Sequence, residues 1–189
     1  MKIAMLDLDG TLVNTVYPAS LAVFGKWVPP TGYNLENYTA LQQAWVFANW
    51  TDDEFMRQCP LIDGASNLVT TLQRNGWLVY ALTARHESTM TKEFVKTHLP
   101  EIIETIFAAG SKADVVRQYD ADLFVDDSAH HLLEVERTTD CPLVIAPVHM
   151  HNSYTYRDLL TLGGGSGRIM TRSLQDIAFL LDNAAESNK

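Results

Sequence analysis

Only two cysteines occur in the 189 residues, Cys59 and Cys141, each followed by proline. Neither sits in the spacing of a disulfide framework or a metal cluster, so a stapled secreted scaffold is excluded and a reducing cytoplasm is the expected compartment. Basic residues are scarce too: 14 Lys and Arg against 23 Asp and Glu leave a formal charge of −9. Phosphate contacts along a nucleic acid need clustered Lys and Arg, so such a partner is not expected, whereas a mononucleotide is compatible with this balance. No apolar run approaches the ~18 residues of a membrane span, and no hydrophobic leader precedes Asp7, so the expectation is a soluble protein with no membrane partner. Internal repeats are lacking, and Gly163 to Gly167 is the one low-complexity patch, read as a surface loop.

Against these absences stands Leu6-Asp7-Leu8-Asp9-Gly10-Thr11-Leu12, directly after the apolar run Ile3-Ala4-Met5. A short apolar run that ends in carboxylates and glycine reads as a buried, parallel β-strand opening into a loop. Asp7 and Asp9, two residues apart, project to the same side while the backbone stays extended, so they share one small volume. Like charges held that close are relieved by a cation, a shared proton or both. Gly10 allows a turn, and the Thr11 hydroxyl can tie it down.

From Asp63 onward the pattern is regular. A helix from Asp63 through Arg74 precedes the strand Trp77 to Leu82, which ends at Thr83-Ala84-Arg85. A helix over 87–98, a strand at 105–108, a helix from Ala113 to Gln118 led into by Gly110-Ser111-Lys112, and the strand Asp122 to Val125, ending at Asp126-Asp127, come next. A helix over 130–137, the strand Leu143 to Ala146, a long loop and a final helix over 173–184 complete the chain. Alternation of this kind predicts an α/β fold, a Rossmann-like doubly wound parallel sheet with helices on both faces. Ligands in such sheets bind beyond the carboxyl ends of the strands, where Asp7, Asp9, Thr83, Asp126 and Asp127 fall.

Residues 13–60 differ in character. Nine of the 18 aromatic residues lie there, Tyr17, Phe24, Trp27, Tyr33, Tyr38, Trp45, Phe47, Trp50 and Phe55. They suit a small, mainly helical insert whose core is aromatic, some of whose rings also line a cleft above the acids. The domain reading is therefore a core made of 1–12 and 61–189, with 13–60 as an insert after the first strand.

The ordered set Asp7-x-Asp9-Gly10-Thr11, Thr83, Lys112 and Asp126-Asp127 resembles the four motifs of the haloacid dehalogenase (HAD) superfamily, over residues 2 to about 130. The resemblance implies a Mg²⁺-dependent phosphomonoesterase with a small helical cap at 13–60. Asp7 would be the nucleophile that forms an aspartyl-phosphate, and Asp9 the acid and base that also offers its backbone carbonyl to the metal. Thr83, with the N–H of Ala84, and Lys112 would hold the transferring phosphoryl group. Asp127 would be the acidic metal ligand, and Asp126 an outer ligand that orients a water or Lys112. Arg85 either reaches the substrate or pairs with a helix acid.

The layout, with Pro60 to Ala65 and the Leu82-Thr83-Ala84-Arg85 form of the second motif, is similar to the 5′(3′)-deoxyribonucleotidase group. That implies a nucleoside monophosphate as the small-molecule partner, with Phe24, Trp45 or Trp50 stacking on its base. Asn152 to Arg157 and Arg168 to Ile177 share the likeness. Other readings are a polynucleotide 3′-phosphatase, a sugar- or metabolite-phosphate phosphatase and a non-catalytic HAD-fold binding protein; a homodimer is also among the expectations. His130 and His131 suit a helix start, and His149 and His151 lack a third ligand with zinc spacing.

Overall fold

The computed structural model describes residues 1–31, 35–50, 53–108, 110–148, 155, 159 and 169–186, with Trp50, Asp53, Ala185 and Glu186 as backbone only. Tyr33, His149, His151, Gly163 to Gly167, Arg168 and all of 152–157 except Thr155 lie outside the described residues.

Six strands, β1 (Lys2–Leu6), β2 (Trp77–Thr83), β3 (Glu104–Phe107), β4 (Leu123–Val125), β5 (Leu143–Pro147) and β6 (Ile169–Arg172), form one sheet. Their order is β3-β2-β1-β4-β5-β6, and every pairing is parallel. Strict two-residue alternation divides the strand side chains between two cores. Ala4, Leu6, Val79, Ala81, Leu123, Val125 and Ile145 face one side, while Met5, Leu82, Phe124, Val144 and Ala146 face the other. The first side is covered by α4 (Ala65–Arg74), α5 (Thr89–His98) and α8 (Leu174–Glu186), through Leu68, Val69, Leu72, Phe94, Val95 and Ile177. The second is covered by α6 (Lys112–Gln118) and α7 (Ala129–Thr138), through Val116, Leu132, Leu133 and Val135. This is the doubly wound arrangement expected from strand and helix alternation.

Between β1 and α4 the chain forms α1 (Val16–Phe24), α2 (Ala40–Trp50) and α3 (Asp53–Arg57). The buried side chains of this segment are mainly aliphatic, among them Val16, Ala19, Leu35, Val46 and Met56, with Tyr38 and Phe55. Most of these join the core of the α4 face instead of closing a separate aromatic one. Tyr38 meets Phe24 edge-on at 4.7 Å, whereas Trp45 and Phe47 remain 39% and 43% exposed. Strand β6 is a feature the sequence pattern did not announce, because four residues at a sheet edge, three half-buried and Arg172 exposed, give too short a signal for periodicity.

The order reverses at β1, since the chain runs outward through β2 and β3 and then returns to place β4 on the other flank of β1. The reversal puts the ends of β1 and β4 side by side, and the Asp7 N–H donates to the Val125 carbonyl at 2.9 Å. Leu72, wholly enclosed between α4 and the sheet, is a sensitive point of this scaffold. Leu72→Ala is expected to cost about 2–5 kcal/mol, read as a lowered denaturation midpoint in urea.

Candidate active site

Beyond Leu6 the chain leaves the sheet and curls tightly. The N–H groups of Thr11, Leu12 and Val13 all donate to the Leu8 carbonyl, at 3.3, 3.0 and 2.8 Å. Gly10 makes this curl with φ +77°, and a Cβ there would lie 2.2 Å from Asp127 Oδ2. Glycine is therefore required twice, by its dihedral and by the acid pressed against it. The Thr11 hydroxyl does not tie the turn: it is buried and has no hydrogen-bond partner among the described residues. Backbone donors converging on Leu8 do that work.

One cavity of about 250 Å³ opens at this rim, lined by Asp7, Asp9, Phe47, Ala84, Arg85, Lys112, Asp126, Asp127, Ser128 and His131. Thus Asp7, Asp9, Lys112, Asp126 and Asp127, more than a hundred residues apart at the extremes, share one space. Thr83, at the end of β2, is completely buried just behind it; its hydroxyl accepts from the Arg85 N–H at 3.2 Å, and Ala84 reaches the cavity wall. Lys112 opens α6 after the Ser111 cap and donates to Asp7 Oδ1 at 2.5 Å and Asp126 Oδ2 at 2.7 Å. Asp126 Oδ1 accepts from the Ser128 N–H at 2.7 Å, and His131 Nδ1 lies 3.2 Å from Asp126 Oδ2. The Asp127 carbonyl accepts from Thr155 Oγ1 at 2.6 Å.

Two expectations need correction, and one cavity residue was not singled out. Among the described residues Arg85 pairs with no helix acid; it grips Asp9 with two hydrogen bonds, Nε to Oδ2 at 2.7 Å and Nη2 to Oδ1 at 2.6 Å. Phe24 packs on Tyr38 and Trp45 lies off the cavity, while the side chain of Trp50 is outside the described residues. The phenyl ring on the cavity is Phe47, one of the nine aromatics of the insert but not one singled out for the ligand. His131, read only as part of a helix start, faces the same space because it stands one turn into α7 from Asp127. A helix placed directly after a functional strand end turns such residues back toward it, a signal in the sequence that the reading of His131 as a helix start passed over.

Asp7, Asp126 and Asp127 are all buried, and each sets a carboxylate oxygen within 4.8 Å of the others'. Asp9 stands outside this trio, its carboxylate taken by Arg85. Burial pushes the Asp7 carboxyl up to about 7, with Asp126 and Asp9 adding to the rise and Lys112 opposing it. Burial, then the charges of Asp7 and Asp126, likewise lift Asp127 well above the usual carboxylate range. Burial acts to raise Asp126 as well, but Lys112 and His131 bring it below that range. Burial also opposes the charge on Lys112, and Asp126 and Asp7 outweigh it, holding the ammonium above the usual lysine range. Fully ionised, the four carboxylates set against Lys112 and Arg85 carry two negative charges in excess, which one divalent cation balances. An all-oxygen donor set of this kind suits Mg²⁺.

No protein-family model matches the sequence, and no curated protein matches it. Solved structures do. A predicted phosphatase from Clostridium acetobutylicum superposes with TM-score 0.63 at 15% identity, over 96% of this chain and 98% of its own. D,D-heptose 1,7-bisphosphate phosphatase from Burkholderia thailandensis gives 0.55 at 15% identity, over 97% and 99%. A HAD-superfamily hydrolase from Ehrlichia chaffeensis gives 0.55 at 13% identity, over 96% of each chain. The fold is that of the HAD hydrolases. At these identities the likeness to HAD phosphatases extends to architecture, and the chemistry must be argued from the rim itself.

Two outcomes follow from the crowded acids. In the metal-free protein, the folded chain keeps a proton on Asp7 between its unfolded value near 4 and about 7, where the unfolded chain has lost it. Stability therefore falls as pH rises through that window, and a cation that replaces the protons binds better at its upper end. Melting temperature should rise with MgCl₂ by several degrees at pH 8 and hardly at all at pH 5; equal shifts at both would contradict this. Gly10→Ala, which drives a methyl into Asp127, should cost about 1–3 kcal/mol and abolish most of the Mg²⁺-induced shift.

Proposed function

We propose that the protein is a Mg²⁺-dependent phosphomonoesterase that acts on a small phosphorylated molecule through a phosphoryl group carried on Asp7. The observation that supports this reading best is the buried Asp7 carboxylate, held at one oxygen by Lys112 and set within reach of Asp126 and Asp127. A carboxylate in that position meets a phosphate dianion only where positive charge has been concentrated, and Lys112 supplies a fixed part of it. Asp7 and Asp127, with the Asp9 carbonyl and Asp126 as an outer ligand, would hold Mg²⁺, which neutralises the phosphoryl oxygens when bound.

In the first step a carboxylate oxygen of Asp7 bonds to phosphorus, and the ester P–O bond breaks. Asp9 gives its proton to the departing alcohol oxygen. Asp9 then takes a proton from water as that water's oxygen bonds to phosphorus, and inorganic phosphate leaves with the Asp7 carboxylate restored. Lys112 and the backbone around Thr83 and Ala84 face the charge that builds on the phosphoryl oxygens. Asp126 keeps the Lys112 ammonium in place.

In this reading 1–12 and 61–189 are the catalytic core and 13–60 the cap. The substrate we assign is a nucleoside monophosphate, as in the 5′(3′)-deoxyribonucleotidases. What favours it is the half-exposed Phe47 ring on the wall of a cavity whose floor is the acid cluster. A base stacked on such a ring gains about 1–3 kcal/mol.

Phosphate release should be measured over a panel of nucleoside monophosphates, sugar phosphates and 3′-phosphorylated oligonucleotides, with Mg²⁺ and with EDTA. Hydrolysis of nucleotides with Mg²⁺ and none with EDTA is expected. Asp7→Asn should lower kcat at least about a thousandfold without lowering the melting temperature, and retention of a tenth of the activity would refute its role. Phe47→Ala should raise KM for nucleotides about tenfold and leave KM for sugar phosphates nearly unchanged.

A further inference from the structure

We propose that Arg85 is a positioning residue for Asp9: its guanidinium fork fixes the direction in which the Asp9 carboxyl passes its proton. The proposal rests on the phosphatase reading above.

The two cations of the rim divide its acids between them. Lys112 holds Asp7 and Asp126, and Arg85 holds Asp9. The Arg85 backbone is itself pinned, its N–H donating to the Thr83 hydroxyl at the end of β2. The guanidinium is thus built out from a fixed strand end, and its side chain is only 8% exposed. The loop bonds to the Leu8 carbonyl restrain the backbone on either side of Asp9 but leave its side-chain torsions open. Two nearly parallel N–H···O bonds from one planar group close both torsions, which a single ammonium cannot do.

Each Asp9 oxygen spends one lone pair on the fork. The other lone pair stays available to bind the proton that goes to the alcohol and later comes from water. The Nε and Nη2 edge of the guanidinium is occupied by Asp9, so the proton-transfer group and its holder form one unit in the cavity wall. A carboxyl displaced from the leaving oxygen by even a rotamer loses most of its value as an acid.

The test separates proton transfer from phosphate binding by choice of leaving group. A 4-nitrophenolate departs without a proton, whereas an alkoxide needs one. The quantity to compare is kcat/KM, which ends at release of the alcohol and is blind to the later attack of water. Arg85→Gln and Arg85→Lys should lower kcat/KM about a hundredfold on the best alkyl phosphate of the panel. On 4-nitrophenyl phosphate the loss should stay below about fivefold, and competitive inhibition by inorganic phosphate should change by less than about threefold. Asp9→Asn combined with Arg85→Gln should be no slower than Asp9→Asn alone.

Equal losses on both esters, or inhibition by phosphate weakened tenfold or more, would make Arg85 a substrate contact and overturn the proposal. Loss of a cooperative melt in both variants would make it structural, with the same result. A wild-type chain that releases no phosphate from any ester overturns the phosphatase reading, and this proposal falls with it, whereas equal losses in an active enzyme overturn this proposal alone.

Discussion

Crowding of like charge at the carboxyl edge of the sheet is the constraint on which the rest of the molecule depends. Asp7, Asp126 and Asp127 are taken out of water and set against one another, and water screening cannot relieve them there. Lys112 offsets part of that cost from within, at the price of a buried ammonium that Asp7 and Asp126 must in turn hold charged. The raised proton affinity of Asp7 and Asp127 offsets more of it in the metal-free chain. What remains is a site whose most stable occupant is positive charge, and a phosphate dianion brought beside that charge meets an otherwise repellent carboxylate.

The sheet makes the crowding possible. Strand β1 has β2 on one flank and β4 on the other, so three strand ends deliver Asp7, Thr83 and Asp126 to one rim. Reversal of strand order at β1 leaves the crevice into which those ends project, the usual ligand position in open parallel sheets. The apolar cores on the two faces hold the strands rigid, and rigidity keeps the acids from relaxing apart. Gly10 shows how closely the parts are fitted, because a single methyl there would overlap the Asp127 carboxylate.

Much of this was legible in the chain alone. Strands rich in Leu, Val and Ile that end abruptly in Asp or Thr announce both a parallel sheet and its functional edge, and α4, α5, α6 and α7 followed from their spacing and caps. The Asp7, Asp9, Lys112, Asp126 and Asp127 set was recognisable because each falls at a strand end or helix start, and the structure gathers them into one cavity. Side-chain partnership was harder to read. Nothing in the order of residues tells that Arg85 turns to Asp9, since the pair is 76 positions apart and joined only by the packing of β1 against β2. Which aromatic of the insert meets the cavity was unreadable for a related reason: Phe24 packs on Tyr38, and Phe47 lines the cavity. The edge strand β6 was too short for its pattern to register.

The account stands on a covalent claim, that phosphorus is bonded to Asp7 during turnover. Acid quench of the enzyme while it consumes an excess of phosphomonoester with Mg²⁺, followed by mass spectrometry of its peptides, tests that claim directly. The account predicts the added mass of one phosphoryl group on the peptide bearing Asp7, absent when Asp7 is replaced by Asn. Phosphoryl on another residue, or an unmodified Asp7 peptide throughout rapid turnover, would contradict it.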